Sequence, residues 1–89
     1  MKHYNIRISG RVQGVYFRAS ARDVARSLGL RGYVRNEPDG SVYIEVEGEE
    51  KALAEFADWC RKGPPRAHVS EIQIQEDTVQ NLGDFDIRR

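Results

Sequence analysis

Tyr4, Ile6 and Ile8 alternate with Asn5, Arg7 and Ser9, the period of a strand buried on one face. Gly10 and Gly14 then bracket a loop. From Phe17 the period lengthens. Phe17, Ala21, Val24, Ala25 and Leu28 recur at helical spacing, and Gly29 follows as a C-terminal stop. The first unit is strand, glycine-bracketed loop, helix.

Leu30 to Asn36 reads as a second strand and ends on Glu37-Pro38-Asp39-Gly40. That sequence is a turn signal, because Pro presets one turn dihedral and Gly permits positive φ. Val42, Ile44 and Val46 alternate with Tyr43, Glu45 and Glu47 in a third strand that forms a hairpin with the second. Gly48-Glu49-Glu50 opens a second helix, with acids at its positive end and Leu53, Phe56, Ala57 and Cys60 as its inner stripe. Gly63-Pro64-Pro65 ends it. Val69 to Gln75 gives a fourth strand with Ile72 and Ile74 facing in, and Phe85 and Ile87 indicate a short fifth. The order βαββαβ plus a short C-terminal strand predicts an α+β, two-layer ferredoxin-like sandwich. Two helices cover one face of a mainly antiparallel sheet, in a single domain over residues 1–89. That architecture serves many functions, so function has to be read from a site.

The 14 basic and 14 acidic residues balance to zero net charge. A protein that neutralises many phosphates carries a basic surplus, so an extended nucleic-acid footprint is not expected, whereas a short anion needs only one or two placed cations. With 89 residues the chain buries roughly 60% of the surface its unfolded form exposes, enough to fold without metal or disulfide. Cys60 is the only cysteine, which rules out an intrachain disulfide and fits a reducing compartment. No apolar run is long enough for a membrane span, and the first residues lack the apolar core of a signal peptide; a cytoplasmic location is expected.

Two glycines four apart at a strand-to-helix junction let the chain curl with backbone N–H groups facing inward, as in anion-binding nests. Arg18 falls in the first turn of the helix, and its planar fork of donors matches two phosphate oxygens. The same spacing also fits a tight connection and a surface ion pair. A nucleotide P-loop fits worse, since the glycines are too close together and no Lys-Ser or Lys-Thr follows. Asn36, at the entry to the Pro-Asp-Gly turn, could orient a water through its carbonyl oxygen or simply initiate the turn. Cys60 belongs to an apolar stripe, and His3 and His68 have no paired ligand spacing and read as surface or strand-end residues. Glu45, Glu47, Glu49 and Glu50 read as a solvated strand edge and helix start, and Trp59 as half-buried packing.

Read together, two stretches resemble a known family. Gly10-Arg11-Val12-Gln13-Gly14-Val15-Tyr16-Phe17-Arg18 resembles the first signature of the acylphosphatases. Gly32-Tyr33-Val34-Arg35-Asn36-Glu37-Pro38-Asp39-Gly40-Ser41-Val42 resembles their second. The likeness continues through Gly63-Pro64-Pro65-Arg66-Ala67 and Phe85-Asp86-Ile87-Arg88, so it runs the length of the chain. Departures are Tyr33, where a tryptophan is frequent, and His68, where an arginine is common.

The resemblance implies hydrolysis of small acyl phosphates to a carboxylate and inorganic phosphate, without metal or cofactor. It assigns phosphate binding to Arg18 and the backbone N–H groups of Gln13, Gly14, Val15, Tyr16, Phe17 and Arg18. Asn36 would orient the attacking water, with no phosphorylated enzyme intermediate. Partners would be the acyl phosphate and inorganic phosphate as product and competitive inhibitor, with no nucleic acid or membrane partner, in a monomer. Two other readings are weaker. An RNA-recognition motif is echoed only by Arg31-Gly32-Tyr33-Val34, and its further aromatics are missing. The N-terminal part of hydrogenase-maturation carbamoyltransferases has a similar domain but belongs to long chains with zinc-finger cysteines. Acetyl phosphate, carbamoyl phosphate, 1,3-bisphosphoglycerate and phosphorylated pump aspartates share the anhydride, and nothing in the residues selects among them.

Overall fold

A computed structural model describes residues 1–89. The alternating and helical periods become β1 (Lys2–Arg11), α1 (Phe17–Ser27), β2 (Arg31–Asn36), β3 (Val42–Gly48), α2 (Glu50–Lys62), β4 (His68–Asp77) and β5 (Asp86–Ile87). The strands form one sheet in the order β4-β1-β3-β2-β5. β1 pairs antiparallel with both β3 and β4, β2 pairs antiparallel with β3, and β5 lies parallel to β2. This is the expected α+β sandwich on a mainly antiparallel sheet, with only β5 parallel to its neighbour.

Register sets the core. Ile6 faces Ile44 and Ile8 faces Val42 across β1 and β3, so one pleat surface is apolar. Onto it pack Phe17, Ala21 and Ala25 of α1 and Leu53, Phe56 and Cys60 of α2, all buried. Burying each large apolar side chain contributes about 1.5–3 kcal/mol. Aromatic contacts join the helices: Phe17 meets Trp59 with ring centroids 5.2 Å apart, and Phe56 meets Phe85 edge-on at 5.9 Å. Phe17 is therefore both the first residue of α1 and a core anchor, which fixes where the preceding loop can lie. Burial pushes the Cys60 thiol pKa far up, in keeping with a packing role.

Two expectations are corrected. Gly10 does not open the loop. It sits inside β1 at a bulge in the pairing with β4, with φ 124°, and a Cβ there would lie 2.2 Å from the His68 carbonyl oxygen. The loop begins at Val12. Neither His3 nor Glu47 is a surface residue: both side chains are 0% exposed. The register pairs His3 with Glu47 on the face opposite the helices, and the segment joining β4 to β5 passes over them. His3 Nδ1 lies 2.8 Å from Glu47 Oε2, and Nε2 lies 3.0 Å from both Glu45 Oε1 and Asn5 Oδ1. Carboxylate oxygens face both ring nitrogens, an arrangement that favours the doubly protonated, cationic imidazole. Glu47 also accepts the backbone N–H groups of Gln80 (2.9 Å) and Leu82, while Glu45 accepts the hydroxyls of Tyr33 (2.5 Å) and Tyr43 (3.1 Å).

This clamp titrates in two directions. Burial alone would lower the His3 pKa, but its hydrogen bonds to Glu47 and Glu45 outweigh that and raise it above 6.5. Burial would raise Glu45 and Glu47, but their donors outweigh it and hold both below 4.5. The His3 contribution is thus complete below about pH 6.5 and is lost as pH climbs through the raised value; the Glu contributions are lost on acidification. Urea midpoints should fall from about pH 6 toward about pH 9 in the native chain. His3→Ala should cost about 3 kcal/mol at pH 6, by leaving Glu47 buried without its counter-ion, and should flatten the alkaline decline.

Candidate active site

The loop between β1 and α1 is short because two of its side chains and the first of α1 are claimed by the core. Val12, Val15 and Phe17 are buried, so the backbone between them must turn sharply. It does so with left-handed conformations at Gly14 (φ 73°) and Tyr16 (φ 65°). Alternating hand in successive residues turns neighbouring N–H groups to the same side. None of the N–H groups of Gln13, Gly14, Val15 or Tyr16 donates to an acceptor within the chain. The first N–H groups of α1 are orphaned as at any helix start. Tyr16, the N-cap, supplies no side-chain acceptor, and no acid occupies the first turn. The result is a concave cluster of donors at the positive end of a helix dipole.

A cavity of about 390 Å³ opens beside this loop, lined by Val12, Gly14, Tyr16, Phe17, Arg18 and Ala19, by Asn36 at the end of β2, by Ile87 of β5 and by Arg89 two residues beyond it. Arg18 makes no ion pair: the arginines that do are Arg7, Arg22, Arg26, Arg35 and Arg61. The Oδ1 atom of Asn36 is buried and has no hydrogen-bond donor. Such an atom costs about 1–3 kcal/mol unless something supplies a proton to it. The two residues singled out in sequence, 18 positions apart, thus line one cavity. The side chains of Gln13 and Val15 are not on its walls; only their N–H groups belong to the loop's donor cluster.

What sequence reasoning missed is the Gln13 side chain. Its Nε2 donates to the carbonyl oxygens of Glu37 (2.8 Å) and Ser41 (2.9 Å), the two ends of the hairpin turn. The turn is held on its other side as well. Glu37 lies between Arg7 (3.7 Å) and Arg35 (3.3 Å), Arg7 donates to Ser41 Oγ at 3.1 Å, and Asp39 accepts from the Ser41 N–H (2.9 Å) and hydroxyl (2.6 Å). Asn36 therefore stands on a braced turn. The available signal was a lone carboxamide between Gly10 and Gly14, opposite a turn whose Glu37 and Ser41 carbonyls each accept one backbone N–H, from Gly40 and Glu37, and take a second donor. No group of three His, Cys, Asp or Glu side chains is placed to hold a metal ion. No helix is long and apolar enough to cross a membrane.

Comparison with known proteins gives this arrangement its context. The acylphosphatase family model matches residues 4–87. The chain belongs to the acylphosphatase family. It is 49% identical over 88 residues to the acylphosphatase of Thermotoga petrophila, covering 99% of this chain and 98% of that one. It is 51% identical over 82 residues to that of Anaeromyxobacter dehalogenans, covering 91% and 88%. The crystal structure of acylphosphatase from Bacillus subtilis superposes with a TM-score of 0.97 at 37% identity, each chain covered in full. The chain is thus an enzyme that hydrolyses acyl phosphates to a carboxylate and inorganic phosphate. The cavity between the first loop and the hairpin unites the two acylphosphatase signature segments.

The brace makes a measurable difference in an acylphosphatase. Gln13→Ala keeps the backbone N–H but leaves two turn carbonyls without that donor. The variant should lose about 1–2 kcal/mol in urea unfolding. Its kcat/KM for acetyl phosphate should drop by about tenfold or more, because loop and turn no longer share a fixed separation. An unchanged kcat/KM would show that the loop holds its position without Gln13.

Proposed function

We propose that the N–H groups of Gln13, Gly14, Val15, Tyr16, Phe17 and Arg18 and the guanidinium of Arg18 hold the phosphoryl group, and that Asn36 orients the water that attacks phosphorus. The observation that carries this reading is the pairing of opposites in one cavity: donors with no acceptor on one wall, and a buried acceptor with no donor on the other. A phosphoryl group is an acceptor through all its non-bridging oxygens. A water donates one hydrogen to Asn36 Oδ1 and turns a lone pair toward phosphorus.

The chemistry asks little else of the protein. Phosphoryl transfer depends mainly on positioning and on stabilising charge on the equatorial oxygens. A nest of N–H groups and one arginine supply that stabilisation without reorganising at the moment of reaction. The carboxylate leaves without needing a general acid. The water's proton passes to a non-bridging phosphoryl oxygen, so neither a protein base nor a phosphorylated side chain is required. On this reading residues 1–89 act as one catalytic domain, inorganic phosphate competes with substrate at the same donors, and no metal, nucleic acid or second subunit takes part.

Two variants separate the roles. Arg18→Ala removes two charge-assisted hydrogen bonds and should lower kcat/KM for benzoyl phosphate by about 10²- to 10⁴-fold, with inhibition by inorganic phosphate weakened in parallel and the thermal midpoint nearly unchanged. Near-normal turnover by this variant would overturn the phosphoryl-binding assignment. Asn36→Ala should reduce kcat by about 100-fold while inorganic phosphate inhibits almost as before. Strongly weakened phosphate inhibition would place Asn36 on the phosphoryl group instead of the water.

A further inference from the structure

The phosphoryl-binding loop forms only part of the cavity. Its far wall is built by the C-terminal strand, through Ile87 and Arg89. β5 runs parallel to β2, with Tyr33 beside Asp86 and Val34 beside Ile87, and the ladder continues as the N–H of Arg88 donates to the Val34 carbonyl at 2.8 Å. Successive side chains of an extended chain point to opposite faces. The guanidinium carbon of Arg88 accordingly lies over the ring of Tyr33, 3.9 Å from its centroid, on the face away from the helices. Ile87 and Arg89 are turned to the other side, into the cavity with Arg18 and Asn36.

Arg89 makes no ion pair or hydrogen bond within the chain. The nearest acid in sequence is already engaged, since Asp86 lies 3.9 Å from Arg26 and accepts the N–H of Ile87. No Asp or Glu side chain lines the cavity. It therefore presents two guanidinium groups with no acidic side chain paired to them, those of Arg18 and Arg89. With a phosphoryl group held by the loop and Arg18, the cavity wall formed by Ile87 and Arg89 is free to meet the acyl part of the substrate.

We propose that Arg89 is a specificity-determining residue that selects acyl phosphates whose acyl chain bears a second anionic group, a carboxylate or a phosphate, over those with neutral acyl groups. Ile87 covers the carbon chain and Arg89 meets the distant charge. The inference rests on the reading that the loop and Arg18 hold the phosphoryl end, and it concerns the opposite end of the same substrate. Arg89 is exposed, so solvent screens the contact and the preference is modest.

Succinyl phosphate and acetyl phosphate test it, compared at low ionic strength. The native enzyme should show a KM for succinyl phosphate about fivefold below that for acetyl phosphate. Arg89→Ala should raise the succinyl phosphate KM to the acetyl phosphate value, with kcat on both and inhibition by inorganic phosphate shifted by less than about twofold. Arg89→Lys should keep most of the preference, because a positive charge suffices. Equal KM values in the native enzyme would overturn the proposal. So would an Arg89→Ala variant in which both KM values and the phosphate inhibition constant rise together, which would make Arg89 a second phosphoryl ligand. The Arg18→Ala experiment fails or succeeds independently, since it reads phosphate affinity and the Arg89 comparison reads a ratio between two acyl groups.

Discussion

The carboxamide of Gln13 joins the two halves of the cavity. One side is a loop whose shape is dictated by buried Val12, Val15 and Phe17; the other carries Asn36, at the end of β2 just before a hairpin turn whose tip is polar. Neither half determines where the other lies. Two hydrogen bonds, 2.8 and 2.9 Å long, from one side chain to two turn carbonyls remove that freedom. Because Asn36 immediately precedes the turn, the same bonds set how far its Oδ1 stands from the donors of the loop. Phosphoryl transfer is sensitive to such separations at the level of an ångström, so under the proposed roles of the loop and Asn36 a structural contact becomes a catalytic constraint.

The energetics of the loop make sense only beside this. Tyr16 in a left-handed conformation, four N–H groups without acceptors and a buried unpartnered Oδ1 all cost stability. The rest of the molecule offsets them. The apolar face of β1 and β3 with Phe17, Phe56 and Phe85 gives a continuous core under the loop. At the other end of the sheet the His3–Glu47 clamp ties the crossing segment down through Gln80 and Leu82. That segment delivers β5 to the edge of β2. The clamp thus fixes the route by which Ile87 and Arg89 reach the cavity, although it lies on the opposite face of the sheet.

The strands, helices and order of elements were legible because each has a clean period and clear punctuation. Two residues of the cavity were legible too, since Arg18 and Asn36 are unusual residue types at element junctions, whereas Ala19, Ile87 and Arg89 on its walls were not. Three further things were not. The bulge at Gly10 depends on the carbonyl of His68, 58 positions away, and a local reading of two glycines merged it with the loop. His3 and Glu47 carry the residue types of a solvated strand. Their burial depends on register and on a crossing segment that has no periodicity of its own. The Gln13 bridge likewise spans loop and hairpin, and its partners are backbone atoms, which leave no trace in residue identity. Periodicity reports burial along an element; it does not report what a distant segment places over it.

Two of those misses share a cause that also explains how the site can be strained and yet ordered. The His3–Glu47 pair and Gln13 are polar side chains reaching across sequence to backbone or to an opposite charge, and each lies at an end of the sheet, where the apolar core gives out. A two-layer sandwich of this length has little core to spare for its rims. The rims are then held by directional contacts, which specify position more sharply than apolar packing does. Gln13 and the Arg7–Glu37–Arg35 pairs hold one rim, and His3 with Glu45 and Glu47 holds the other. At the first rim the directional contacts end on groups left unpaired, N–H groups with no acceptor and an oxygen with no donor, which is why the proposed catalytic site is placed there. At the second rim every ring nitrogen of His3 has a carboxylate partner, so the same kind of network is complete and serves only to hold the fold.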